Sequence, residues 1–148
     1  VNIKENARPI NILMVEDNPM DVRLTLEAFK ESKILNDMTV LGDGEEAMKF
    51  LHREGKYTDA RRPDLILLDL NLPKMDGIEV LAEIKTDENL KCIPVVVMTT
   101  SKSEEDVIKS YDHHANCFIT KPVSLDGFTT VIQSIDNFWL TIVTLPSE

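Results

Sequence analysis

The chain has 148 residues, 43% of them hydrophobic and 28% charged, with a formal net charge of -10 at pH 7. That length suffices for one domain whose core needs no disulfide or metal staple, and no apolar run approaches the roughly 20 residues a membrane helix requires. So acidic a balance argues against sequence-independent attraction to DNA or to an anionic membrane, both of which need clustered Lys and Arg, and leaves proteins and small ions as the expected partners. The opening Val1-Asn2-Ile3-Lys4-Glu5-Asn6 has no hydrophobic signal region, so a cytoplasmic location is expected. The two cysteines, Cys92 and Cys117, fall beside predicted buried strands without ligand-like spacing. They are expected as reduced core thiols rather than as a disulfide.

After a polar lead-in over residues 1–8, Ile10-Asn11-Ile12-Leu13-Met14-Val15 reads as a first strand ending on Glu16-Asp17. Asn18-Pro19 looks like an N-cap followed by proline at the first helical position, and Val22, Leu26 and Phe29 repeat at helical spacing up to about Ser32. Met38 to Leu41 forms a short second strand. Gly42-Asp43-Gly44 turns it into a helix carrying Ala47, Phe50 and Leu51, which Gly55 is expected to close. Residues 56–63 are polar and loop-like.

The next stretch dominates the reading. Asp64-Leu65-Ile66-Leu67-Leu68-Asp69-Leu70-Asn71-Leu72-Pro73 is a short aliphatic run closed by Pro and by the Asp76-Gly77 turn signal. It predicts a fully buried strand of a parallel sheet with Asp69 at its end. Asp76 caps a third helix with Val80, Leu81 and Ile84 on one face. A fourth strand follows over Ile93 to Met98 and stops at Thr99-Thr100-Ser101. Ser103 and Asp106 resemble a capping box for a fourth helix with Val107, Ile108, Tyr111 and Ala115 inward. Cys117 to Ile119 is a brief fifth strand running into Thr120-Lys121-Pro122, and Ser124 starts a last helix carrying Phe128, Val131, Ile132, Ile135, Phe138 and Trp139. Five strands alternating with five helices predict an α/β fold, a doubly wound parallel five-stranded sheet over residues 9–140, with 141–148 as an apolar extension.

The functional consequence is geometric. In an open parallel sheet, ligands bind beyond the carboxyl ends of the strands, where Glu16, Asp17, Asp69, Thr99 and Lys121 all fall. Three carboxylates within about 4 Å of one another repel pairwise by roughly 4 kcal/mol at an effective dielectric of about 20. A proton would relieve this by raising a pKa. An oxygen-only cluster without His or Cys suits a hard divalent cation better, and Mg2+ is the expected one. With such a cation present, a carboxylate can attack phosphorus to give an acyl phosphate, with Lys121 as the ammonium and Thr99 as a hydroxyl on one phosphoryl oxygen.

Glu16-Asp17, Asp69 with Asn71 and Pro73, Thr99, and Lys121-Pro122 at successive strand ends resemble the receiver domain of two-component response regulators, over roughly residues 9 to 140. The resemblance implies a flavodoxin-like (βα)5 sheet of strand order 2-1-3-4-5. It implies Asp69 as phosphoacceptor, and Mg2+ held by Glu16, Asp17, Asp69 and the Asn71 backbone carbonyl. It places Thr99, Thr100 and Lys121 on the phosphoryl group and makes the Lys121-Pro122 peptide cis. It implies a switch in which Thr99 moves and Phe118, standing where a tyrosine is often found, turns inward and changes the surface of helix four, strand five and helix five. It implies a phosphoryl lifetime tuned by Asn71 and Ser101, and a signalling protein rather than an enzyme. More narrowly, Glu16-Asp17-Asn18-Pro19, Arg61-Arg62-Pro63-Asp64, the Asp69 to Pro73 wording and the final Phe138-Trp139 are similar to single-domain regulators of phytochromes, which implies a light-sensing histidine kinase as partner.

Plainer readings stand beside these. Asp69 alone is as good a turn residue, Lys121 alone is a solvated lysine, and Glu16-Asp17 also suits the dipole of the first helix. His52, His113 and His114 have no metal spacing and read as surface side chains. The apolar tail with Phe138, Trp139, Leu140, Ile142, Val143 and Leu145 needs cover. Either Phe138 and one or two others close the core, or the last helix and tail form a homodimer. Two rival functions share parts of this pattern. A haloacid-dehalogenase-type phosphatase wants a second aspartate where this chain has Asn71, and a phosphate-independent receiver-like adaptor predicts loss of an acidic, threonine or lysine position that is here retained.

Overall fold

The computed structural model describes residues 9–30, 35–100, 117–121, 123, 124, 126 and 127. The expected fourth helix, the expected fifth helix from residue 128 onward, Ser101, Pro122 with its peptide bond, and the tail residues Phe138, Trp139 and Ile142 lie outside the described residues.

Strands β1 (Ile10–Val15), β2 (Asn36–Leu41), β3 (Leu65–Asp69), β4 (Val95–Thr99) and β5 (Cys117–Thr120) form one sheet, all parallel, in the order β2-β1-β3-β4-β5. This is the predicted strand order. Helices α1 (Pro19–Lys30), α2 (Gly44–Leu51) and α3 (Gly77–Thr86) make the connections among the described residues, with a 3-10 turn at Gly55–Tyr57.

The aliphatic runs are continuous because both faces of the sheet are covered, and side chains alternate between two cores. Leu13 and Val15, Ile66 and Leu68, and Val95 and Val97 point to one side and meet Ala47, Met48 and Leu51 of α2 and Val80, Leu81 and Ile84 of α3. Ile10, Ile12 and Met14, Leu65 and Leu67, and Val96 and Met98 point to the other, where Phe29 of α1 packs. Completely burying one such side chain contributes about 1.5–3 kcal/mol, so the central strands anchor whatever their ends carry.

Several boundaries differ from the sequence expectation. β2 begins at Asn36 rather than Met38, because this edge strand pairs on one side only and its polar residues Asn36 and Asp37 still align with Ile10 and Asn11. β4 begins at Val95 rather than Ile93. Pro94 has no N–H to give the ladder, although its carbonyl accepts from Ile66 N at 3.0 Å, and the Ile93 N–H is used in a turn onto Leu90 O. Gly55 does not close α2. The helix ends at Leu51, and Arg53 takes the left-handed position at φ 56°, with Arg53 N on Phe50 O at 3.1 Å and Glu54 N on Lys49 O at 2.9 Å, a Schellman closure. Gly55, also at φ 56°, starts the 3-10 turn. Cys92 is exposed rather than a core thiol, since it lies in the turn preceding β4.

The expected caps Asn18 and Asp76 are present and Asp43 adds a third, whereas the Ser103 and Asp106 capping box lies outside the described residues. Asn18 Oδ1 accepts from Met20 N and Asp21 N, Asp43 Oδ1 from Glu46 N, and Asp76 Oδ1 from Glu79 N. Among the described residues no helix is long and apolar enough to cross a membrane.

Candidate functional site

Each site residue is carried to the same edge of the sheet by a different strand. Glu16 follows β1 directly, and its N–H extends the ladder onto Leu41 O at 3.0 Å. The residue is 1% exposed, and its Oε2 accepts from Asn18 N at 3.1 Å, so it also ties the β1 end to the α1 cap. Asp17, the next residue, is exposed. Asp69 is the last residue of β3 and Thr99 the last of β4, and both are buried. Lys121 follows β5 and donates its N–H to Thr99 O at 2.8 Å, which continues the β4–β5 ladder by one step and fixes where the lysine side chain starts.

From there the ammonium reaches back across the strand ends. Lys121 Nζ lies 2.5 Å from Glu16 Oε1, 3.2 Å from Asp69 Oδ1 and 3.2 Å from Asp21 Oδ2. Carboxylate oxygens of Glu16, Asp17 and Asp69 all lie within 4.8 Å of one another. Thr100 is exposed on the bend after β4, and Asn71 is exposed two residues beyond Asp69. Phe118, half-buried, packs against the core on the α2 and α3 side.

Two glycines let the backbone close around this edge. A Cβ on Gly77 would stand 2.2 Å from Asp69 O, and one on Gly44 would stand 2.0 Å from Met75 O. Only glycine permits either approach. Lys74, in the loop between β3 and α3, holds a left-handed φ of 67° and places its ammonium 3.8 Å from Asp43 Oδ2, which links this loop to the cap of α2.

The charges are unbalanced. Burial pushes the Glu16 carboxyl up from its ordinary 4.5 to about 7; the Lys121 ammonium opposes this and neighbouring Asp69 adds to it. For Lys121, burial favours the neutral amine, but Glu16 and Asp69 more than reverse it and hold the ammonium above the ordinary lysine range. Glu16 Oε1 is fully buried and meets the lysine as a close ion pair, without the alignment of a hydrogen bond. A fully buried carboxylate oxygen with no hydrogen-bond donor aligned on it, in an all-carboxylate set, fits a hard divalent cation such as Mg2+. Glu16, Asp17 and Asp69 are the residues that would hold it.

A model of the response regulator receiver domain matches residues 12–133. The chain belongs to the response regulator receiver family. Its relatives include the response regulator Rcp1 of Synechocystis sp., 52% identical over 97% of this chain and 97% of Rcp1. The structure of the Mn2+-bound form of Rcp1 superposes with a TM-score of 0.74, covering 94% of this chain and all of that one. Two further structures are the phosphorylated cyanobacterial phytochrome response regulator RcpA and the bacteriophytochrome response regulator AtBRR. RcpA has a TM-score of 0.75 and 52% identity, covering 95% of this chain and 100% of its own. AtBRR has a TM-score of 0.84 and 42% identity, covering 89% and 96%. This receiver is therefore related to regulators of phytochrome signalling.

The receiver brings together five predicted residues, Glu16, Asp17, Asp69, Thr99 and Lys121, at the carboxyl edge of its sheet. The sequence reading passed over Asp21. Its one sequence signal is an acidic side chain in the first turn of the helix that follows Glu16-Asp17.

Proposed function

We propose that this receiver takes a phosphoryl group onto an Asp69 oxygen from the phosphohistidine of a sensor histidine kinase. The phosphorus–nitrogen bond breaks, an acyl phosphate forms, and the imidazole leaves. The reading is carried by one observation: a half-buried ammonium, anchored by the β4–β5 ladder, stands 3.2 Å from a strand-end carboxylate. Lys121 orients and neutralises the incoming dianion, while the Thr99 hydroxyl and the Thr100 backbone offer donors at the next strand end.

Glu16, Asp17 and Asp69, with the Asn71 carbonyl, hold Mg2+. Bound there, it supplies charge neutralisation for the transferring group. Phosphorylation adds roughly two negative charges, which draw Thr99 toward them and let Phe118 turn inward. Asn71 and Ser101 tune how long the phosphoryl group stays. A phytochrome-type kinase as donor is supported by the relatedness to RcpA and AtBRR. Residues 9–140 act as the receiver unit inside the cell, and the apolar 141–148 extension, with Phe138, Trp139 and Ile142, pairs two copies.

The test is intact mass after incubation with acetyl phosphate and Mg2+, beside an Asp69→Asn variant and a chelator control. One added phosphoryl group, absent from both controls, is expected. Protein that binds Mg2+ yet gains no phosphoryl group from acetyl phosphate or from a phosphorylated kinase would refute the assignment in favour of a phosphate-independent adaptor.

A further inference from the structure

Lys121 touches three carboxylates, and they are not equivalent. Glu16 and Asp69 belong to the cluster whose oxygens converge with those of Asp17, whereas Asp21 lies outside it. A divalent cation at that cluster claims the same two carboxylates that hold the ammonium, and two cations sharing Glu16 and Asp69 repel one another. Of the lysine's partners among the described residues, only Asp21 is left for it undivided. Its place is fixed: Asp21 N donates to Asn18 Oδ1 at 3.2 Å, and Asp21 O accepts from the buried Thr25 hydroxyl at 2.8 Å. The Asp21 side chain is 26% exposed against 11% for Lys121, so its charge keeps some water while facing the lysine.

We propose that Asp21 is a positioning residue, the counter-ion that holds Lys121 at the rim of the site when a divalent cation occupies Glu16, Asp17 and Asp69. The inference rests on the function proposed above and adds to it a device that makes metal and ammonium compatible. Without Asp21 the lysine falls back on Glu16 and Asp69 and competes with the metal. With it, the ammonium stays within reach of Asp69 but off the metal ligands. An ordinary exposed ion pair would have little effect on the site. This one acts because its lysine, only 11% exposed, also touches two carboxylates the metal needs.

The experiment is Mg2+ titration by calorimetry on four proteins: wild type, Asp21→Asn, Lys121→Gln and the double variant. The expected loss of affinity for Asp21→Asn is roughly fivefold, the size of one unit-charge interaction across a water-exposed rim. In the Lys121→Gln background the same change should cost less than about twofold, since the competitor is gone. Asp21→Glu, which keeps the charge, should restore affinity to within about twofold of wild type. Thermal melts of the metal-free proteins check the fold, and Asp21→Ser, read by the same criterion, replaces Asp21→Asn if that variant melts early. An equal loss with and without Lys121, or no loss at all, overturns the proposal. Wild-type protein that binds no Mg2+ refutes the metal site itself; wild type that binds while Asp21→Asn is unchanged refutes the role of Asp21 alone.

Discussion

Gly77→Ala separates helix propensity from packing, because the two predict opposite signs. Gly77 is the first residue of α3, and alanine is the better helix former by at most about 1 kcal/mol. Against this, the new Cβ would stand 2.2 Å from Asp69 O, 2.6 Å from Leu70 Cα and 3.0 Å from Asp69 C. All three are backbone atoms, so no side chain can swing aside. Overpacking costs about 1–3 kcal/mol, and a contact with backbone belongs at the upper end. Moving α3 away also strains the bond from Gly77 N to Leu70 O, now 2.9 Å, for about 1 kcal/mol more. The net expectation is a destabilisation of about 2–3 kcal/mol in urea unfolding without Mg2+. Because the displaced backbone carries Asp69, Mg2+ affinity should fall as well. Gly42→Ala is the control: nothing lies within 4 Å of its Cβ, and it should be neutral or stabilising by less than about 1 kcal/mol. Gly77→Ala protein as stable as wild type would refute the close approach between α3 and the end of β3.

Three other outcomes follow from the site and its surroundings. Glu16 titrates near 7 when folded and near 4.5 otherwise, so its contribution to metal-free stability is complete below pH 4.5 and is lost as pH rises through 7. Since Mg2+ must displace that proton, its apparent affinity should rise with pH, by up to about tenfold per unit, and level off above 7 in titrations from pH 5.5 to 8.5. Lys121→Met leaves buried carboxylates without their cation and should destabilise the metal-free protein by about 3 kcal/mol at pH 8, most of it recovered on adding Mg2+ in a thermal melt. Cys92, being exposed, should react with a thiol reagent in folded protein at nearly the rate seen in denaturant.

The central strands were legible because burial on both faces leaves one kind of sequence, an aliphatic run such as Leu65 to Leu68, and their ends were marked by the first residue that breaks it. That rule found Glu16, Asp69 and, through the alternation of strands and helices, Thr99 and Lys121. It misplaced what a run of side chains does not record. The start of β4 depended on the missing N–H of Pro94, and the start of β2 on backbone pairing that tolerates Asn36 and Asp37 at a sheet edge. The end of α2 passed to Arg53 because a Schellman closure needs a left-handed residue two places after Leu51, and Gly55 stands two places too late.

Asp21 escaped for another reason. A single aspartate in the first turn of a helix is already explained by the helix dipole, so nothing in the sequence asked for a second purpose. What gives it one is the reach of a lysine exactly 100 residues later, and that distance closes only when β5 returns beside β4. The strand ends bring together an acidic cluster that local patterns alone foretold. Keeping a lysine and a divalent cation together at that site depends on a long-range contact, and the Mg2+ affinities of Asp21→Asn with and without Lys121 measure whether that contact does so.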